Sequence, residues 1–475
     1  MIRLRLPTIN QVLAVVFVAG LAGLSYLFGA AVMHFRLPSS DFLYNAFIGA
    51  KAWNERGRPS DSFVTPGGDT ADLGVRLDKP EKTQDGFTLC TTTQGVRAEL
   101  LDMRGTVVHR WELPFGRVWK EPAHVRGSIP EEQIHWFRCH LFRNGDLLAV
   151  YHAEGDTPYG YGLVKLDKDS RLLWSYAGNA HHDVDVAEDG TIYTLTQKIE
   201  TQPPEGLAFL PAPYLADSVV VLSAEGRELN TVPLLEAFRD SPYALLLTAV
   251  MNGPPQISAA PPPGPPRAIR LTPPGPGGPP SSGSSSPSLQ PKRAGPTLSA
   301  AKGDFIHANS IKVLPRALAS KFSLFQPGQV LISLRNLDAI AVLDLHKRSI
   351  VWAARGLWRI QHDAEFLANG HLLLFDNGGS IKGCRVIEFD PVRQALPWCY
   401  ASEQFTPFSA LFRGMKQGLS NGNVLIVDPD GGRIFEVTPD KEMVWEMICP
   451  RSVTGAHRYK ADELTFLKAA IRARP

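Results

Sequence analysis

Gln361-His362-Asp363-Ala364-Glu365-Phe366-Leu367-Ala368-Asn369-Gly370-His371-Leu372-Leu373-Leu374-Phe375 sets a polar cluster, a turn dipeptide and an apolar run in direct succession. Asn-Gly supplies the positive φ that tight hairpins require, so two strands should meet at 369–370. The same order recurs at Asn144-Gly145, Asp189-Gly190 and Asn421-Gly422, each followed by apolar residues. A second signature, an aspartate, a turn and then tryptophan, runs from Asp102 to Trp111, Asp167 to Trp174, Asp344 to Trp352 and Asp390 to Trp398. It returns with Thr438 in place of the aspartate before Trp445. The last two tryptophan intervals are 46 and 47 residues, close to the length of one four-stranded propeller blade. With a weaker unit at Ser218 to Val232, the count reaches six. The expected fold is all-β, a six-bladed β-propeller preceded by an N-terminal transmembrane helix.

Working outward, Val12 to Met33 is a run of 22 uncharged residues behind Arg3 and Arg5, long enough to cross a bilayer as a helix. Residues 1–36 therefore read as a membrane anchor or signal segment. The basic residues before the span place the chain beyond Met33 outside the cytoplasm, in the periplasm or an equivalent compartment. Residues 37–84 read as a juxtamembrane helix (Ser40 to Glu55) and linker, 85–252 as blades one to three, 304–450 as blades four to six, and 451–475 as a C-terminal tail. Leu234 to Val250 has the apolar content of a helix. Between the two blade sets, 253–303 is rich in proline, glycine and serine and cannot bury a core, so it reads as a disordered insertion.

A formal net charge of +2, from 49 basic and 47 acidic residues, excludes a general nucleic-acid binder. The five cysteines lack metal-ligand spacing. A hairpin folded near Pro391 would set Cys384 opposite Cys399, giving either a disulfide or two buried thiols.

His362 stands seven residues before Asn369, and His182 seven before Asp189, so both imidazoles hold one blade position and both precede an aspartate. Matching Leu314 with Leu367 brings Asn309 near that position, with His307 on the same strand face. Propeller symmetry then makes His182, His307, Asn309 and His362 converge, while each histidine taken alone is equally a bridge between blades. Arg335 lies in a strand otherwise rich in Leu and Ile, where its charge needs an anionic side chain or an anionic ligand. His181 is a weaker site candidate. His135, His140, His346 and His371 match no aligned position and read as structural or exposed.

Through His182-Asp183, Asp304-x-x-His307-x-Asn309-Ser310, Ser333-Leu334-Arg335, Gln361-His362-Asp363 and Phe375-Asp376-Asn377-Gly378, the chain resembles the bacterial PAPS-independent arylsulfate sulfotransferases over residues 85 to 450. The resemblance implies transfer of a sulfuryl group from a phenolic sulfate ester to a phenol through a sulfohistidine, with no cofactor and no metal. It makes His362 the nucleophile. His182, His307, Asn309 and Arg335 would hold the sulfuryl oxygens or assist the phenol, and Asp363 could orient an imidazole. Two other readings fit the same residues: a non-catalytic exported propeller that binds a partner protein or an anionic ligand, and a metal-dependent hydrolase with His182, His307 and His362 as ligands. The oligomeric state is not encoded in any of these features.

Overall fold

The computed structural model describes Gly20, Leu24, Ser25 and residues 73–467, apart from 126–129, 154–157, 211, 251–302, 381–382, 403, 407, 409 and 411–412. The expected span Val12 to Met33, the helix Ser40 to Glu55 and most of the 253–303 insertion lie outside the described residues. No helix among the described residues is long and apolar enough to cross a membrane.

The strands form six antiparallel sheets, one per blade, within the unit Val64–Pro475. Blades two to five are contiguous in sequence, with innermost strands Ile134–Leu141, Ala180–Val186, Ala308–Val313 and His362–Phe366. Blade six starts at Met415–Gly418. Blade one is composite: Phe87–Thr92, Arg97–Leu101 and Val107–Glu112 take their innermost strand, Val453–Tyr459, from the other end of the chain. Residues 453–459 are therefore not tail, because they are needed to close the ring. Nor is 37–84 entirely linker, since Gly74–Asp78 pairs with Met443–Ile448 as a fifth strand on blade six.

Both sequence signatures have a structural cause. The glycines of the turn dipeptides sit at positive φ, for example +91° at Gly145 and +90° at Gly370, linking innermost to second strand. The aspartates cap the next hairpin: Asp102 Oδ1 accepts the N–H groups of Arg104 and Thr106, and Asp167 Oδ1 those of Asp169 and Arg171. The tryptophans join blades. Trp111, Trp174, Trp398 and Trp445 donate Nε1–H to Gly145, Ala224, Pro439 and Met103, each in the following blade around the ring. Middle strands such as Tyr214–Leu222 and Val330–Leu334 are buried on both faces between neighbouring blades, which explains why apolar residues fill both alternations, broken only by Asp217, Ser218 and Ser333.

The segment expected as one helix over Leu234 to Val250 divides into a short α-helix, Leu234–Arg239, and a 3-10 turn, Ala244–Val250. All five cysteines are free thiols. The 391 hairpin forms, but its register sets Ile387 against Cys399, leaving Cys384 three residues farther along and out of disulfide reach of it.

Candidate active site

Regular pairing would send alternate side chains of an innermost strand to opposite faces, yet His182-Asp183 and their equivalents are nearly all buried. The register breaks in the innermost strands of blades two to five, between Trp136 and Cys139, His181 and Val184, Ala308 and Ser310, and His362 and Glu365. Such β-bulges re-aim side chains. His182, His307 and Asp363, at or beside these breaks, take φ of +56°, +51° and +54°, left-handed backbone that histidine and aspartate adopt more readily than most non-glycine residues.

One layer gathers imidazoles and aromatic rings. The His182 ring centre lies 5.0 Å from that of His307, 5.1 Å from His181, 5.2 Å from Tyr159 and 5.2 Å from Phe137. His181 and His182 share a proton between their Nδ1 atoms, 2.8 Å apart, and His181 Nε2 stands 3.3 Å from Asp217. His307 Nδ1 lies 2.6 Å from Asp304 Oδ2 and 3.4 Å from the Tyr159 hydroxyl, which accepts a hydrogen bond from Gln197. The Arg335 backbone N–H donates to His307 O, so the strand end carrying Arg335 is tied to the histidine. Arg335's charge opposes protonation of both His307 and His362.

His362 has a defined tautomer. Its Nδ1 faces two oxygens, Asn377 Oδ1 at 2.7 Å and Ile360 O at 3.0 Å. Asn377 cannot turn its NH₂ toward the ring, because Nδ2 already donates to Ala410 O and Arg413 O. Nδ1 therefore carries the proton, and the lone pair sits on Nε2, which is buried without a hydrogen-bond partner. Burial, with Arg335 next, lowers the His362 pKa to about 3, so the ring is neutral at ordinary pH. Burial likewise holds His182 and His307 well below the usual imidazole range and lifts Asp304 to about 7.

Of the five residues singled out in the sequence, His182 and His307 stand ring against ring, and Arg335 and His362 lie near enough to act on them electrostatically. Asn309 joins them from one side: its Nδ2 donates to Gln361 O at 2.9 Å, holding the backbone beside His362, and its Oδ1 is buried without a partner. Asp363 does not orient an imidazole. It turns away from His362 to Arg138 Nη2 (3.0 Å), Lys416 Nζ (3.3 Å) and the Lys416 backbone N–H. Although burial pushes its carboxyl up, Arg138, Lys416 and Lys312 outweigh this and pull it below the normal carboxylate range. Among the described residues, no group of three His, Cys, Asp or Glu side chains is arranged to hold a metal ion.

The sequence singles out neither Tyr159 nor His152, carries Asp304 and Asn377 only as motif positions without a role, and sets His135 apart as structural or exposed, whereas the rings of His135 and His152 lie 5.3 Å apart in blade two. His152 is 5.9 Å from His182. A signal for blade two was present: Phe137-Arg138 stands seven residues before Asn144, the place held by His182-Asp183 and His362-Asp363. His346 is exposed, and His371 pairs with Glu388 at 2.5 Å.

Residues 284–449 match the arylsulfotransferase (ASST) family model. The matched segment contains Asp304, His307, Asn309, Arg335, His362 and Asn377, whereas His182 and Arg138 lie before it. No curated protein matches the chain. Among solved structures, a protein of unknown function from Bacteroides caccae aligns at 10% identity with a TM-score of 0.45, covering 78% of this chain and 98% of that one. A streptogramin B lyase aligns at 10% identity and TM-score 0.38, covering 80% and 84%. Virginiamycin B lyase from Staphylococcus aureus aligns at 9% identity and TM-score 0.33, covering 68% and 73%.

Proposed function

We propose that this propeller transfers a sulfuryl group from a phenolic sulfate ester to a phenolic acceptor, with His362 Nε2 as the nucleophile. The observation that carries the reading is the free, buried Nε2 lone pair on a neutral imidazole whose other nitrogen is locked as a donor. The match to the arylsulfotransferase family over the segment that holds this residue supports the substrate class.

In the first half-reaction Nε2 attacks sulfur, the N–S bond forms and the S–O bond to the aryl group breaks. The departing phenolate takes the proton held by the Asp304–His307 pair, whose carboxyl at about 7 makes it available near neutrality. In the second, the acceptor phenol gives its proton back to that pair as its oxygen attacks sulfur, and the N–S electron pair returns to Nε2. Arg335 balances charge on the sulfuryl oxygens, and Asn309 holds the backbone beside the nucleophile. In this proposal the enzyme works outside the cytoplasm, tethered through Val12 to Met33.

The test is phenol release from a chromogenic aryl sulfate with a phenol acceptor. Wild type should turn over and yield a sulfuryl adduct on His362, while a folded His362→Asn variant should do neither. No release by folded wild type across a broad donor panel would rule the reading out.

A further inference from the structure

Behind the histidine layer lies a second, separate layer made of charge. Three dipeptides at matched blade positions straddle the bulges: Phe137-Arg138, His182-Asp183 and His362-Asp363. The first residue of each belongs to the ring cluster or carries the nucleophilic nitrogen. The second points to the propeller axis on the other side. There Arg138 of blade two reaches Asp363 of blade five at 3.0 Å and stands 3.7 Å from Asp183 of blade three. Lys312 of blade four closes on Asp183 at 2.9 Å, and Lys416 of blade six on Asp363 at 3.3 Å. Five blades thus meet in one ionic septum. Arg138, Asp183, Asp363 and Lys416 are each at most 6% exposed.

Beyond the septum is a cavity of about 190 Å³, lined by these same five residues together with His457 and others. That is many times the ~10–15 Å³ that a single water needs, so several waters fit, and its polar walls offer them partners. The cavity does not include His182, His307 or His362 among its lining residues. A sulfuryl group on His362 would therefore stand one residue away from a hydrated chamber, separated from it by the Asp363–Arg138–Asp183 bridge.

We propose that Arg138 is a positioning residue that seals the back of the histidine site, and that this seal sets how many sulfuryl groups reach phenol rather than water. The inference rests on the sulfotransferase reading above. The reaction it suppresses is attack of water oxygen on the sulfur of the sulfohistidine: the S–O bond forms, the attacking water passes one proton to a second water, the N–S bond breaks with its electron pair returning to Nε2, and hydrogensulfate leaves. Transfer and hydrolysis share the same intermediate, so the septum acts on their ratio rather than on the rate at which the intermediate forms.

The measurement is the ratio of inorganic sulfate to new aryl sulfate at fixed donor and acceptor, in the full chain. Arg138→Met removes both ion pairs and should raise the ratio severalfold. Arg138→Lys keeps the charge but cannot span Asp183 and Asp363 together, and should raise it less; it is the variant to rely on if Arg138→Met does not fold. A folded Arg138 variant in which transfer and hydrolysis fall by the same factor overturns the proposal, since that is the behaviour of a purely structural residue. Wild type that releases no phenol from any donor would overturn the proposed function itself, a distinct outcome.

Discussion

The orientation of one amide, together with the Ile360 carbonyl, sets what His362 can do. Asn377 accepts from Nδ1 only because its NH₂ is committed to two carbonyls, and without that acceptor the ring is freer to adopt the other tautomer. Asn377→Leu should lower transfer by roughly ten- to a hundredfold, the range typical when the group orienting a functional imidazole is lost, with little change in donor KM. Steady-state kinetics of the folded variant check this. Asp304 makes a second, separable prediction. Its carboxyl, raised to about 7 by burial, keeps the Asp304–His307 pair protonated below that pH. Release of a weakly acidic phenol should therefore slow as pH rises through about 7, while release of a strongly acidic one, which departs unprotonated, stays flat. Asp304→Asn should remove the limb in the first profile and leave the second unchanged.

At the scale of strands and turns, the tryptophan repeat is a stitch between neighbouring blades, and its members differ in weight. Trp398 is half-buried against the edge of an apolar cluster and over Tyr400, packing that phenylalanine largely keeps, so Trp398→Phe should cost about 1 kcal/mol through the bond to Pro439 O. Trp445 is fully buried with the Arg458 guanidinium 4.6 Å above its ring, so Trp445→Phe should cost more, about 2–3 kcal/mol, through the added cavity and lost cation–π contact. Denaturant titration of both variants separates the two. These stitches explain why blades were legible in the sequence: tryptophan and turn glycine are fixed by local geometry that every blade repeats. The site was legible where a blade spelled His-Asp, at His307 and Asn309 through the match of Leu314 with Leu367, and at Arg335 as a charge beside an apolar run. Phe137-Arg138 holds the same position with different chemistry, and Asn377 acts through an orientation set by carbonyls of residues 410 and 413, more than thirty residues away. The closing strand Val453–Tyr459 was hidden for a related reason, since it comes after the last turn signature and pairs with Phe87–Thr92 at the far end of the chain.

Seven imidazoles are enclosed in the ring in their neutral form, and that makes stability depend on pH. Burial lowers the pKa of His135, His140, His152, His182, His307, His362 and His457, to about 4 for His140 and about 3 for His362 and His457. In the unfolded chain each titrates near 6.5. The stability linked to them is present above that value and is lost as pH falls toward the folded values, because the unfolded state then binds more protons. Each group contributes up to about 1.4 kcal/mol per pH unit in that window. Asp304, with its folded pKa raised, has the opposite sign and loses stability as pH climbs from about 4 to about 7, and Asp185, Asp338 and Glu365 are raised in the same direction, but these four carboxyls stand against seven imidazoles. Stability should therefore drop steeply between pH 6.5 and 4.5, read as the midpoint of urea unfolding at each pH. His140→Gln and His457→Gln, which lie on the side of the septum away from His362, should flatten that slope. A midpoint that stays level across the window would mean that the imidazoles take up protons in the folded ring, and the neutral nucleophile would lose its physical basis with them.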